Sequence, residues 1–186
     1  MTQAHEKSIV RILSGANDVV GTGFLISPRR ILTCAHVVAS AHGDAVQAEM
    51  PQGEISFNFP LLAPDQKCTA RAVLWNPALD VAVLEIADTL PEGAQPAPLV
   101  QNPDLWQHPF RAFGFPDNFE NGVWASGRIL AREATGWLQI EDPKETGYFV
   151  QPGFSGGAIW DESLGGVVAL VVAADTSPGV RTAFAL

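Results

Sequence analysis

Apolar and polar residues alternate in many short segments along the chain, and glycine or proline separates most of these segments. Strict alternation places every second side chain on one face, which is typical of β-strands with one buried face. Regular glycines and prolines indicate turns between short antiparallel strands closed into a sandwich or barrel. The pattern therefore predicts an all-β fold. The predicted strands are Ser8–Leu13, Gly21–Ser27, Arg30–Cys34, Ala45–Met50, Ile55–Phe59, Ala70–Leu74, Val81–Ile86, Phe110–Phe115, Val123–Ala131, Gly136–Ile140, Tyr148–Val150, Ala158–Trp160, Val167–Ala173 and Thr182–Leu186.

Two segments depart from this strand pattern. Thr33–Ser40 is predicted to form one short helix that carries His36. The stretch Leu90–Pro103 is rich in proline, which lacks the N–H donor that a strand ladder needs. We place a link there, at residues 91–103, between a first lobe at residues 1–90 and a second lobe at residues 104–186.

Length and cysteine content indicate a single domain that needs no disulfides. A chain of 186 residues can bury about 70% of its unfolded surface. Its two cysteines, Cys34 and Cys68, are too few for a disulfide scaffold, and the first residues lack the apolar core of a signal peptide. We expect a cytoplasmic setting. No apolar run reaches the roughly 18 residues that a membrane span requires, so no membrane crossing is expected.

The net charge argues against nucleic acid as a partner. The formal charge is −9, and no basic stripe offsets the repulsion of a phosphate backbone. Charged residues make up 17% of the chain, below the usual share of about 25%. Part of the surface is therefore a candidate for cover by another domain or chain; the alternative is a β-rich fold with small apolar loops.

The residues around Ser155 carry the chemistry. Glycines flank this serine, so backbone N–H groups can converge on one point, as in an oxyanion hole. Serine alone is a weak nucleophile and needs a base oriented by a third group. The candidates are His36, at the end of an apolar run, and Asp80, at the start of a predicted strand. Taken singly, each residue also fits a structural role: a turn, a packed core histidine and a cap.

Three sequence blocks together resemble a known family. T-x-A-H ends at His36, D-[IV]-A-[VL]-L starts at Asp80, and G-x-S-G-G-[PA] surrounds Ser155, with spacings of 44 and 75 residues. This order and spacing resemble the trypsin-like, chymotrypsin-fold serine peptidases and, within them, the bacterial HtrA-like branch. Weaker matches extend the resemblance over nearly the whole chain, at Gly21–Ile26, Ser126–Ile129 and Pro178–Thr182.

The resemblance implies two six-stranded antiparallel Greek-key β-barrels with the active site in the cleft between them. It implies that Ser155 is the nucleophile, His36 the general base and Asp80 the residue that orients His36. The N–H groups of Gly153 and Ser155 would form the oxyanion hole. Such an enzyme cleaves protein or peptide chains through an acyl-enzyme, and we expect no cofactor and no metal.

Family alignment also implies a pocket for the side chain before the cut. It places Phe149 at the floor, with Val150, Val172, Ala173 and Gly179 around it. No carboxylate stands at the floor, so we expect apolar side chains to enter and Lys or Arg to be disfavoured. Two alternatives stay open: Asp175 could reach a basic side chain, or Phe149 could fill the pocket and admit only small residues.

The chain departs from digestive proteases at two points. Phe154 stands where those enzymes carry an aspartate that pairs with a new N-terminus, and the start of the chain has no matching activation site. We therefore expect an active site that is already formed or gated by loop order. Asp117–Gly122 and Glu141–Gly147 have the composition of mobile turns and are the candidate gating loops.

Other functions and sites are open to weaker hypotheses. Cys34 resembles a thiol nucleophile, but its place at a strand end predicts a buried, inert thiol. His5, His42 and His108 are isolated from each other and from cysteine, which argues against zinc. The main rival function is a catalytically silent binding module with the protease fold, and another is an esterase with the same triad. From the resemblance we expect the protease module of a larger bacterial signalling or defence protein, with a fused or associated regulatory domain.

Overall fold

The chain folds into two closed antiparallel β-barrels of six strands each. The computed structural model describes residues 4–144 and 146–186. The first barrel consists of β1 (Ile9–Leu13), β2 (Val19–Ser27), β3 (Arg30–Thr33), β4 (Ile55–Phe59), β5 (Ala63–Asn76) and β6 (Val81–Ile86). The second consists of β7 (Pro109–Gly114), β8 (Val123–Arg132), β9 (Leu138–Glu141), β10 (Ala158–Asp161), β11 (Gly166–Ala174) and β12 (Thr182–Ala185). Two short helices are described, α1 (Ala4–Ser8) and α2 (Ala35–His42).

Strand order confirms the expected fold class. The first barrel closes in the order β1-β2-β3-β6-β5-β4 and the second in the order β10-β11-β12-β9-β8-β7. In the first barrel β3 pairs with β6 rather than with β4, which is the long return of a Greek key. Closure leaves neither barrel a free edge for further strands.

Alternation along the strands builds the two cores. On β4, Ile55, Phe57 and Phe59 are fully buried, and on β6 every second residue points inward. In the second barrel the buried core includes Phe110 and Phe154. The core of the first lobe continues across the cleft, because second-lobe residues such as Trp160 pack against it.

The segment between β6 and β7 contacts both lobes. Ala97 donates its N–H to Leu25 O on β2 at 2.9 Å, and Val100 donates to Val167 O on β11 at 2.9 Å. This proline-rich stretch therefore ties one barrel to the other, as well as joining them in sequence. Among the described residues, no helix combines the length and the apolar character that a bilayer crossing needs.

Some predicted elements differ from those observed. Ala45–Met50 and Tyr148–Val150 are not strands, so these two predictions are wrong. Residues 44–49 are exposed and lack a buried face, and the closed first barrel offers them no strand edge. Tyr148–Val150 follows Gly147 in a left-handed conformation and precedes Pro152, which lacks an N–H donor. The short helix α1 was not predicted.

Candidate active site

His36 is held at the start of α2 by Asp80. The His36 Nδ1 atom lies 2.6 Å from Asp80 Oδ2, and the His36 backbone N–H donates to Asp80 Oδ1 at 2.9 Å. Because a carboxylate only accepts hydrogen bonds, Nδ1 carries a proton and donates it to Asp80 Oδ2, and in the neutral imidazole Nε2 is the acceptor. The imidazole is 39% exposed, so Nε2 can face a substrate.

Asp80 reaches His36 from an uncommon backbone conformation. It lies in the turn between β5 and β6 with φ of 56°, in the left-handed region that aspartate tolerates better than most residues. Its carbonyl also accepts the N–H of Ala35 at 3.2 Å. Backbone and side chain of Asp80 thus both bind the first turn of α2, which fixes the position of the imidazole.

Ser155 lies in a tight turn that packs against the first lobe. Its carbonyl accepts the N–H of Thr22 on β2 at 2.9 Å. The next residue, Gly156, has φ of 82°, and a Cβ there would collide with Thr22 O and with Thr33 Oγ1 at the end of β3. Since β3 leads into α2, this contact places the Ser155 turn beside His36. The structure thus places Asp80 against His36, and the Ser155 turn against the strands that lead to His36.

The Ser155 hydroxyl has no hydrogen-bond partner among the described residues. It therefore does not yet bond His36 Nε2. In enzymes without substrate, the bond between nucleophile and base is often long and tightens only in the substrate complex. The described residues thus show an oriented imidazole at His36 and an unbonded hydroxyl at Ser155.

The turn before Ser155 presents two free backbone donors. Gly153 has φ of 98°, and its carbonyl accepts the N–H of Phe115 at 2.9 Å. Within residues 4–144 and 146–186, the N–H groups of Gly153 and Ser155 donate to no acceptor. Phe154 between them is fully buried and anchors the turn in the second-barrel core. This geometry suits an oxyanion hole, and a Cβ on Gly153 would collide with Phe115 O.

A cavity of about 470 Å³ lies directly before this turn. Of the five predicted pocket residues, Phe149 and Gly179 line it. Val150 and Val172 are buried in the barrel cores, while Ala173 is half-buried on β11. The cavity is lined by Phe149, Gln151, Pro152, Asp175, Thr176, Ser177, Pro178, Gly179, Val180 and Arg181.

Sequence reasoning missed Arg181 in this cavity. In the sequence, Arg181 drew notice only as a member of the weak family match Pro178–Thr182, with no role of its own. The available signal was its charge, because Arg181 is the only cation in the segment between Lys144 and the end of the chain. Its guanidinium lies over the Phe149 ring, with Cζ 4.5 Å from the ring centroid.

Cys34 lies close to His36 and Asp80, but its surroundings do not suit a nucleophile. Its Sγ donates to Val171 O at 3.1 Å, and burial raises the pKa of the thiol. A neutral thiol is neither a nucleophile nor a metal ligand. Cys34, His36 and Asp80 offer ligand atoms within 4.8 Å of one another, yet both Asp80 oxygens already bind His36. These atoms fit a hydrogen-bonded structural role better than a metal site.

Comparison with known proteins gives the family of this fold and site. The trypsin-like peptidase domain matches residues 21–170. The serine proteases MT3772 and Rv3671c of two Mycobacterium tuberculosis strains are each 37% identical over 87 residues, which is 45% of this chain. The match spans only 18% of the length of those curated relatives.

Solved structures agree with this result. The inactive form of the Rv3671c protease matches with a TM-score of 0.71 and 25% identity, covering 98% of this chain and 84% of the other. The serine endoprotease of Yersinia pestis matches in fold, with a TM-score of 0.71 and 22% identity, over 100% of this chain and 62% of the other. These neighbours are HtrA-like serine proteases, so the resemblance found in the sequence is confirmed. The chain therefore belongs to the trypsin-like peptidase domain family, a family of serine endopeptidases.

Proposed function

We propose that this chain cleaves protein or peptide substrates with Ser155, His36 and Asp80 as its catalytic triad. The observation that carries the proposal is the pair of hydrogen bonds between Asp80 and His36, which orient an imidazole that is 39% exposed and whose Nε2 has no partner among the described residues. The Ser155 turn packs against the strands that lead to His36.

The chemistry follows from the placement of each group. Ser155 Oγ attacks the scissile carbonyl carbon while its proton passes to His36 Nε2. The N–H groups of Gly153 and Ser155 hold the oxyanion, an effect worth about 3 kcal/mol per donor in other hydrolases. His36 then protonates the leaving amine and an acyl-enzyme forms. Water activated by His36 releases the acid and restores the hydroxyl.

Covalent labelling tests this proposal. A fluorophosphonate probe should label the wild-type chain at Ser155, and Ser155→Ala should abolish labelling while the fold is kept. Ser163→Ala is the matched control, because Ser163 is an exposed serine between β10 and β11. Labelling that survives in Ser155→Ala would contradict the assignment of the nucleophile.

A silent binding module is the second candidate function. The observation in its favour is the Ser155 hydroxyl without a hydrogen-bond partner among the described residues. Such a protein would keep peptide affinity in the cleft without turnover. If no probe labels the chain, either alone or with its natural partner present, the binding module becomes the better proposal.

We further propose a cytoplasmic, bacterial setting in which this chain is the protease part of a larger signalling or defence assembly. The low share of charged residues supports an associated regulatory domain. Exposed apolar side chains support it as well, with Trp106 59% and Leu99 58% exposed near the link between lobes. Such side chains are typical of surfaces that another domain or chain covers. The net charge of −9 disfavours nucleic acid as that partner.

A further inference from the structure

Arg181 places a cation inside the cavity that leads to the Ser155 turn. Gln151 and Pro152 line one part of this cavity and directly precede Gly153. The guanidinium of Arg181 is stacked on the Phe149 ring, where the sequence alignment places the pocket floor. The arginine side chain is 23% exposed, so it is reachable from the cavity while most of it is desolvated.

The guanidinium has donors that no described residue uses. Its Nη2 atom donates to Asp142 Oδ2 at 3.2 Å and to Gly147 O at 3.0 Å. The Nε atom is buried and has no acceptor among the described residues. Nη1 likewise has none in that part of the chain. A guanidinium carries five N–H donors in a rigid plane, and the two donors on Nη1 remain available to an incoming group.

Contacts on two sides hold this cation in place before any substrate arrives. The Asp142 side chain is only 2% exposed, and the Asp142 backbone N–H donates to Arg181 O at 3.0 Å. The ring of Phe149 supports the guanidinium face. A preorganised arginine loses little conformational entropy when it binds a carboxylate, and its planar donors match carboxylate geometry.

The other charges near the cavity do not cancel this preference. Asp142 binds Nη2 and leaves the other donors open. Asp175 accepts the Ser177 N–H at 2.8 Å, and this hydrogen bond holds the pKa of its carboxyl below the usual value. The Asp175 carboxylate therefore stays ionised and opposes an acidic side chain, but it is only partly buried, so solvent and salt screen its charge. The net charge of −9 acts at long range, where physiological salt screens it beyond about 8 Å.

We propose that Arg181 makes this pocket selective for substrates with an acidic side chain, Glu or Asp, directly before the scissile bond. The inference rests on the proposed peptidase function and names its substrate class. A substrate carboxylate would accept hydrogen bonds from the unused guanidinium donors. An apolar side chain would dehydrate these donors without replacing their hydrogen bonds, which is how a polar pocket rejects an apolar analogue. This proposal replaces the apolar preference expected from the sequence.

Matched peptides test the preference on the wild-type chain. The probes are fluorogenic peptides that differ only in the residue before the cut, which is Glu, Asp, Gln, Leu or Lys. We expect kcat/KM to be about 10- to 100-fold higher for Glu than for its neutral isostere Gln, and lowest for Lys. Equal rates for Glu and Gln, or a preference for Leu, would overturn the proposal.

Two variants then assign the preference to Arg181. Arg181→Gln should bring the Glu-to-Gln ratio to within about threefold, and Arg181→Lys should restore part of it, because lysine keeps the charge without the planar donors. Arg132→Gln is the charge-matched control, since Arg132 lies on β8 and lines a different cavity. A ratio unchanged in Arg181→Gln would assign the preference elsewhere and overturn the role of Arg181.

Fluorophosphonate labelling separates the two proposals. A wild-type chain that is labelled at Ser155 but prefers a neutral residue retains the proposed function and loses this inference. A chain that is neither labelled nor active on any peptide loses both.

Discussion

At the scale of single residues, the left-handed backbone conformation of Asp80 positions its carboxylate against His36. Its left-handed φ turns the carboxylate so that one oxygen meets the His36 ring and the other the His36 backbone. A residue without a side-chain acceptor would leave the ring free to rotate and to change tautomer. The strain at Asp80 is therefore repaid by three hydrogen bonds to the start of α2, counting the one to Ala35.

His5 gives a prediction about acid stability. Its imidazole is fully buried between the rings of Trp124 and Trp160, and within the described part of the chain neither nitrogen has a partner. Burial, and then the charge of Arg111, lower the pKa of His5 from 6.5 to about 3. The unfolded chain therefore binds a proton between these pH values that the folded chain does not. Stability from this residue is complete above pH 6.5 and falls, by on the order of several kcal/mol, as the pH drops toward 3.

The measurement is urea unfolding of the wild type and of His5→Phe at several pH values from 3 to 8. The variant should show a shallower loss of stability with acid than the wild type, whatever its stability at pH 8. Its remaining slope reports the carboxylates and the three other histidines. Parallel pH profiles for the two proteins would contradict the role given to His5.

At the scale of elements, the turn 151–157 depends on how closely it approaches β2 and β3. Gly156 and Gly165 form a matched pair, because both have positive φ, but only Gly156 has backbone within contact distance of an added Cβ. Gly165→Ala should lower Tm by roughly 2–4 °C through backbone strain alone and leave labelling intact. Gly156→Ala should lower Tm by roughly 6 °C or more and abolish fluorophosphonate labelling, because the turn must move away from Thr22. Equal effects of the two substitutions on labelling would contradict this account.

The elements also show what the sequence could predict. Val81–Ile86 was predicted with its observed bounds, because it is a short apolar run rich in β-branched residues that begins directly after the polar Asp80. The three candidate triad residues were proposed from local motifs in a known order. Ala45–Met50 failed because strand formation needs a free pairing edge, which depends on barrel closure and not on local pattern. Arg181 was missed for a similar reason: its contact with Phe149 joins segments 32 residues apart in sequence.

At the scale of the whole molecule, the two lobes share contacts that should make them unfold together. Trp160 of the second lobe packs in the core of the first, and Cys34 of the first lobe bonds Val171 O of the second. Thr22 and Ser155 join the lobes at the active site. Neither barrel keeps its full core when the other is lost, so the unfolding transition should be cooperative.

Two probes placed in different lobes measure this cooperativity. Both cysteines are buried in the first lobe, while four of the five tryptophans lie in the second. During urea unfolding, thiol reactivity toward a disulfide reagent and tryptophan fluorescence should therefore change with the same midpoint. Thiols that react well before the fluorescence changes would show that the lobes unfold separately.

The hydrogen bond from Thr22 to the Ser155 carbonyl, with Gly156 pressed against the same strand, has a consequence for lobe exchange between relatives. A chimaera that takes its N-terminal half from one homologue and its C-terminal half from another receives the two sides of this contact from different proteins. A Cβ at Gly156 would collide with Thr22 O, so even small differences between the two halves can displace the Ser155 turn in a hybrid that is otherwise well packed. The exchange that preserves this contact transfers β2 and β3 together with the turn 151–157, although these segments belong to different lobes.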